Sequence, residues 1–148
     1  MSDIVVVDAS LAVKWVISEP DSDAAVALLN EWASAGKEVI APALFTYEAT
    51  NVIYRRVVQK LLTYEEAVQL LTDLFAIDIS FDSSDYEGMS SEAIALAHRF
   101  HLPAVYDAHY LALAIRENCE YWTADAKLWN AVKGKLDRVR WIGAYNKP

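Results

Sequence analysis

The sequence predicts an α/β domain in which a largely parallel sheet of about five strands carries helices on both of its faces. Three observations support that expectation. Short β-branched runs alternate along the chain with longer segments of helical apolar spacing, the pattern left by strand-helix-strand units. The first run, Ile4-Val5-Val6-Val7, is apolar at every position, as a strand covered on both faces requires. The 148 residues are 55% hydrophobic and 23% charged with four Gly and four Pro, enough for one core and a poor match to disorder, so a single domain over 1–148 is expected.

The elements follow in order. Asp8 ends the first strand, and Ala9 to Ile17 reads as a short helix before the break at Glu19-Pro20-Asp21. Ser22 to Ala35 forms a longer helix that Gly36 ends, and Lys37 to Ala41 is the second strand. Pro42 suits the first turn of the next helix, where Leu44, Tyr47, Val52 and Val58 recur at roughly helical spacing through Ala43 to Val58. Thr63-Tyr64-Glu65-Glu66 has the form of a capping box and opens a helix to about Phe75. Ala76 to Phe81 alternates as a third strand. Asp82-Ser83-Ser84-Asp85 offers N-caps for a helix through Ala97, and His101-Leu102-Pro103 connects it to a helix from near Asp107 to near Asn118. Tyr121 to Thr123 is a fourth strand, a short helix with Leu128, Trp129 and Val132 follows Asp125, and Arg138 to Ile142 reads as a last edge strand.

Composition narrows the function classes. Cys119 is the only cysteine, which excludes an internal disulfide and zinc motifs built on paired cysteines and favours a reducing, cytoplasmic setting. The start, Met-Ser-Asp running into Ile-Val-Val-Val, has no basic leader, and no apolar run approaches bilayer length, so neither secretion nor membrane insertion is expected. The formal net charge of −8 opposes nonspecific binding to a polyanion. Clustered carboxylates that hold metal account for part of that excess, and Lys14, Arg55, Arg56, Lys60 and Arg116 offer a local positive rim.

Four acids stand where a parallel sheet would gather them. Asp8 ends the first strand, Asp125 follows the fourth, Glu48 lies inside the helix after the second strand, and Asp107 opens a helix. Ligands of such sheets bind beyond the carboxyl ends of the strands. Two-metal phosphodiester chemistry needs several hard oxygen donors in a small volume, because Mg²⁺ and Mn²⁺ prefer carboxylate and water. Without metal the acids would repel one another and titrate as a coupled set. Taken singly, Asp8 and Asp107 also read as helix caps and Asp125 as a turn residue. Glu48 sits in a mostly apolar helix and shares a face with Asn51 and Arg55 by spacing. Ser10 and Thr123 each lie two residues from an acid, where a hydroxyl can orient a carboxylate or a metal-bound water.

Val-Val-Asp8-Ala-Ser10, Pro42-x5-Glu48-x2-Asn51, Tyr106-Asp107-Ala108-x-Tyr110-Leu-Ala-Leu-Ala and Thr123-Ala-Asp125 resemble, in order and spacing, the successive motifs of PIN domains, and most closely those of VapC-type toxins of toxin-antitoxin pairs. The resemblance covers nearly the whole chain. It implies a three-layer α/β/α PIN-like fold with a five-stranded parallel sheet, RNA cleavage dependent on Mg²⁺ or Mn²⁺, homodimerisation, and an antitoxin whose tail occupies the active-site groove. The family's acidic ligands fall on Asp8, Glu48, Asp107 and Asp125. On this reading Asp8, Glu48 and Asp107 hold a first metal while Asp125 helps with a second or orients water. Ser10, Asn51 and Thr123 support those acids, and Lys14 and Arg55 are candidates for phosphate contact.

Two other readings remain open at this stage. A strand-end aspartate also serves phosphotransfer proteins, although Asp8-Ala9-Ser10 lacks the second acid of an Asp-x-Asp pair. A PIN-like interaction module would keep the fold without catalysis. His98, His101 and His109 have no cysteine or close histidine pair to complete a metal site and read as surface or capping residues. Trp15 and Trp32 read as core residues, with a dimer or antitoxin groove as the alternative. The target RNA does not follow from the positions of the acids.

Overall fold

The computed structural model describes residues 2–146. Five strands, β1 (Ile4–Val7), β2 (Glu38–Pro42), β3 (Ile79–Asp82), β4 (Glu120–Thr123) and β5 (Val139–Trp141), form one sheet in the order β3-β2-β1-β4-β5. Every neighbouring pair is parallel. The order reverses at β1: the chain builds outward to β2 and β3, then crosses back to β4 and β5. Such a switch opens a crevice beyond the carboxyl ends of the central strands, here β1 and β4.

Seven α-helices join the strands: α1 (Ala9–Ala12), α2 (Ser22–Ser34), α3 (Leu44–Val58), α4 (Tyr64–Phe75), α5 (Tyr86–Arg99), α6 (Tyr106–Arg116) and α7 (Ala126–Val132). Period-two alternation in β4 shows that both faces of the sheet are covered. Tyr121 turns to one face and stacks on Tyr110 of α6, whereas Trp122 turns to the other and meets Trp32 of α2 edge to face. The helices therefore make outer layers on either side of the sheet.

Helix α6 lies deepest. Ala108, Tyr110, Leu111, Ala112, Leu113 and Ala114 are all buried, and the small side chains let the helix approach β1, β2 and β4 closely. Asn118, at φ 51°, ends it in the left-handed region, while the Cys119 amide donates back to the Ala114 carbonyl at 3.0 Å. Gly36 does the same for α2: at φ 70° it brings the Lys37 amide within 2.9 Å of the Trp32 carbonyl. The capping box of α4 is present in both directions between Thr63 and Glu66.

Some boundaries move. The expected helix from Ala9 to Ile17 is α1 plus a 3-10 turn over Val13–Trp15. Pro42 ends β2 rather than opening a helix, since its side of the chain is still paired with Asp82 of β3. Ala76 belongs to the end of α4, its amide bonded to the Thr72 carbonyl at 3.0 Å, so β3 starts only at Ile79. The last strand is an edge strand and shorter than expected, because a 3-10 turn over Ile142–Ala144 follows it.

A candidate metal centre at the carboxyl edge of the sheet

Asp8 leaves β1 in extended conformation and becomes the N-cap of α1. Its carboxylate is buried, 4% exposed, so each oxygen needs partners from the protein. Oδ1 accepts from Ser10 Oγ at 2.6 Å and from the Leu11 amide at 3.1 Å, and Oδ2 accepts from Tyr121 OH at 2.7 Å and from Thr123 Oγ1. Burial raises its pKa, and these four hydrogen bonds oppose the rise without cancelling it.

Glu48 lies in the second turn of α3, half-buried, with Oε1 accepting from Tyr110 OH at 2.6 Å. Burial raises its pKa, opposed by the phenol and aided by the charge of Asp8. Asp107 stands in the first turn of α6 behind the N-cap Val105, so it is not the cap that its position in the sequence allowed. Its pKa is pushed up to about 7, first by burial and then by the charges of Asp8, Asp125 and Glu48. Asp125 follows β4 and caps α7, Oδ1 accepting from the amides of Lys127 at 2.8 Å and Leu128 at 3.3 Å.

Asp8, Glu48, Asp107 and Asp125 together line a cleft of about 170 Å³ with Ala9, Ser10 and Val52. Larger cavities lie elsewhere. One of about 580 Å³ opens at the opposite edge of the sheet, where Lys37, Glu117 and Arg138 mix their charges and gather no acid cluster. Chemistry, not size, singles out the smaller cleft. None of the causes that shift Asp8, Glu48 and Asp107 is a cation, so no cation among the described residues neutralises them.

All four donor groups are carboxylates, the set that suits Mg²⁺ or Mn²⁺, and their mutual repulsion is relieved by proton uptake, as at Asp107, or by a cation. The residues fit such a metal. Among the described residues, no three His, Cys, Asp or Glu side chains already stand at ligating spacing, although the acids share one cleft and sense one another's charge.

The supporting residues divide. Ser10 bonds Asp8 and also accepts from the Ala124 amide at 3.1 Å; Thr123 bonds Asp8 and accepts from the Asp125 amide at 3.0 Å. These hydroxyls tie the loop after β1 to the loop after β4. Asn51 is exposed and does not line the cleft; Val52, one full turn beyond Glu48, takes that place. Lys14 donates to the Pro20 carbonyl at 2.7 Å and pairs with Glu19 at 3.3 Å, and Arg56 bonds the same Glu19. Arg55 is exposed. Arg116 is engaged by Asp82, Ser84 and Glu117. Trp15 donates its indole N–H to the Ala25 carbonyl at 3.0 Å and meets the buried Trp32 edge to face, so both serve the core.

Sequence reasoning overlooked Tyr110 and Tyr121. Their signals were present: Tyr110 is three residues beyond Asp107 on one helix, and Tyr121 shares a strand face with Thr123.

The profile of the PIN domain family matches residues 5–135. Ribonuclease VapC3 from Pyrobaculum aerophilum is 30% identical over 123 residues, 83% of this chain and 90% of that protein. The crystal structure of PAE2754 from Pyrobaculum aerophilum superposes with a TM-score of 0.65 at 19% identity, covering 89% of this chain and 87% of that one. VapC20 from Mycobacterium tuberculosis, a sarcin-ricin loop cleaving toxin, superposes with a TM-score of 0.64 at 15% identity over 86% and 94% of the two chains. At these identities the two structures show the shared fold.

Proposed function

The chain belongs to the PIN domain family, on its VapC-type branch, and from that premise we propose that it is the ribonuclease toxin of a toxin-antitoxin pair, cutting RNA phosphodiester bonds with Mg²⁺ or Mn²⁺. One observation supports the chemistry above the others: four carboxylates from separate elements line one small cleft with no cation among the described residues lining it. The proposed partners are an RNA substrate, a cognate antitoxin and a second copy of the chain, in the cytoplasm.

Asp8, Glu48 and Asp107 would hold the cation, with Asp125 assisting. When bound, it supplies Lewis-acid stabilisation of charge on the phosphoryl oxygens and a more acidic water. The chain's own residues do the rest. Ser10, Thr123 and the Leu11 amide keep Asp8 in one orientation at the end of β1. Asp125 has Oδ1 engaged in capping α7, which leaves Oδ2 to orient a water toward phosphorus. In the overall hydrolysis the water oxygen bonds to phosphorus, the ester oxygen leaves with the bonding electron pair, and a proton passes from water to that oxygen. Arg55, exposed on α3, is the better placed of the two proposed phosphate contacts, because Lys14 is engaged by Glu19 and the Pro20 carbonyl.

The test is direct. Purified protein should cut mixed cellular RNA into discrete bands with Mg²⁺ and leave it intact with chelator. Cleavage that persists in chelator contradicts the metal-dependent reading, and no cleavage of any RNA with metal contradicts the nuclease reading.

A further inference from the structure

Tyr110 and Tyr121 are the two largest fully buried side chains among the described residues. A buried phenol without a partner destabilises the fold, so each hydroxyl needs an acceptor inside the core. Both hydroxyls reach acids of the cleft: Tyr110 donates to Glu48 Oε1 at 2.6 Å and Tyr121 to Asp8 Oδ2 at 2.7 Å. Their rings stack on each other, 5.7 Å between centroids and 16° between planes.

The arrangement joins four elements. Tyr110 comes from α6, Tyr121 from β4, Glu48 from α3, and Asp8 from the end of β1. The path Asp8, Tyr121, Tyr110, Glu48 links two acids 40 residues apart in sequence through a rigid aromatic pair. Stacked rings in a close-packed core have little freedom to slide, and each hydroxyl lies in the plane of its ring, so the two carboxylates inherit the spacing of the phenols.

The donors on Asp8 differ in kind. A carboxylate has about four acceptor positions, and Asp8 uses its two oxygens for four donors. The Leu11 amide is fixed by backbone and Tyr121 by its buried ring, whereas the hydroxyl hydrogens of Ser10 and Thr123 rotate. A cation held by Asp8 would take positions that the Ser10 and Thr123 hydroxyl hydrogens can vacate by rotation, while the buried ring of Tyr121 keeps its oxygen in place. At Glu48, the phenol occupies Oε1 and leaves Oε2 for the cation.

We propose that Tyr110 and Tyr121 are a positioning pair whose stacked rings hold Glu48 and Asp8 at one spacing, so that a divalent cation meets two pre-set carboxylates. This rests on the reading of the acids as cation ligands. Groups that orient metal ligands typically contribute about 10–100-fold in metal affinity.

Tyr110→Phe and Tyr121→Phe each remove one hydroxyl and keep the ring in the stack. Calorimetric titration with Mn²⁺, beside thermal melting, separates positioning from support of the core. Each variant should bind Mn²⁺ about tenfold or more weakly, and Tyr110→Phe added to Glu48→Gln should weaken binding no further than Glu48→Gln alone. Mn²⁺ affinity unchanged in the folded variants, even with a lower melting temperature, overturns the proposal. If one variant fails to fold, the other decides. Absence of saturable Mn²⁺ binding in the unaltered protein instead overturns the cation reading, and the proposal with it.

Discussion

Two halves of the acid cleft are built on different principles. Asp8 and Glu48 are braced: five side-chain or backbone donors hold them, two of them buried phenols. Asp107 and Asp125 sit at the starts of α6 and α7; Asp125 is held only through its cap, and no hydrogen bond contributes to the titration of Asp107. Burial raises the pKa of both Asp8 and Asp107; at Asp8 four hydrogen bonds oppose the rise, whereas at Asp107 the neighbouring charges add to it. One half of the site is thus organised by hydrogen bonds from the fold, and in the other Asp107 carries electrostatic strain that no hydrogen bond offsets and that a cation would relieve.

Substitutions that neutralise an acid should therefore have opposite effects on the two halves. The largest effect is expected at Asp8. Asp8→Asn should lower RNA cleavage about a thousandfold, the value of several kcal/mol of lost charge stabilisation. It should also destabilise the fold by about 1–3 kcal/mol, since an N–H₂ facing Tyr121 and Thr123 turns those hydroxyls from donors into acceptors and leaves their own hydrogens without the carboxylate. Cleavage and a melting curve read both; a stabilised Asp8→Asn would erase the distinction between the halves.

Asp107→Asn should also abolish most cleavage but raise the melting temperature of metal-free protein at neutral pH. The sign follows from linkage. The folded protein holds the Asp107 proton up to about pH 7, well above the ordinary value of 3.8, so its favourable contribution is complete below about pH 4 and is lost as pH rises through about 7. Metal-free melting temperatures measured from pH 4 to 8 should fall more steeply for the unaltered protein than for Asp107→Asn. Parallel curves would contradict the strain assigned to this half.

A smaller effect is expected at Thr123, fully buried and bonded to Asp8. Thr123→Val keeps its shape and removes one of two donors on Oδ2, which should cost about 1 kcal/mol in denaturant unfolding. Smallest of all, Asn51→Ala should leave cleavage unchanged and stability within about 0.5 kcal/mol, because Asn51 is exposed and off the cleft.

The contrast also explains what was legible in the sequence. β1 was clear from four successive β-branched or apolar residues, and the ends of α2 and α6 from Gly36 and Asn118, because each signal is local. The acids were legible because strand ends of a parallel sheet meet at one edge, and motif order added the helical pair. The bracing was not. Tyr110 bonds a residue 62 positions away and Tyr121 one 113 away, and neither periodicity nor capping rules reach that far. On α3 the residue that joins Glu48 in lining the cleft is four residues on, at Val52, while Asn51, three residues on, is exposed. Ala76 and Pro42 each continued the preceding element because a backbone hydrogen bond or strand pairing outlasted the pattern that suggested a boundary.

The central claim is that four carboxylates at the carboxyl edge of the sheet form one site for a divalent cation. Its most direct test is calorimetric titration of Mn²⁺ near pH 6.5 in buffers of different ionisation enthalpy, for the unaltered protein and Glu48→Gln. The account predicts saturable binding with proton release, since Asp107 must give up its proton to bind metal, and a large loss of affinity in Glu48→Gln. No saturable binding, or equal affinity in Glu48→Gln, would contradict it.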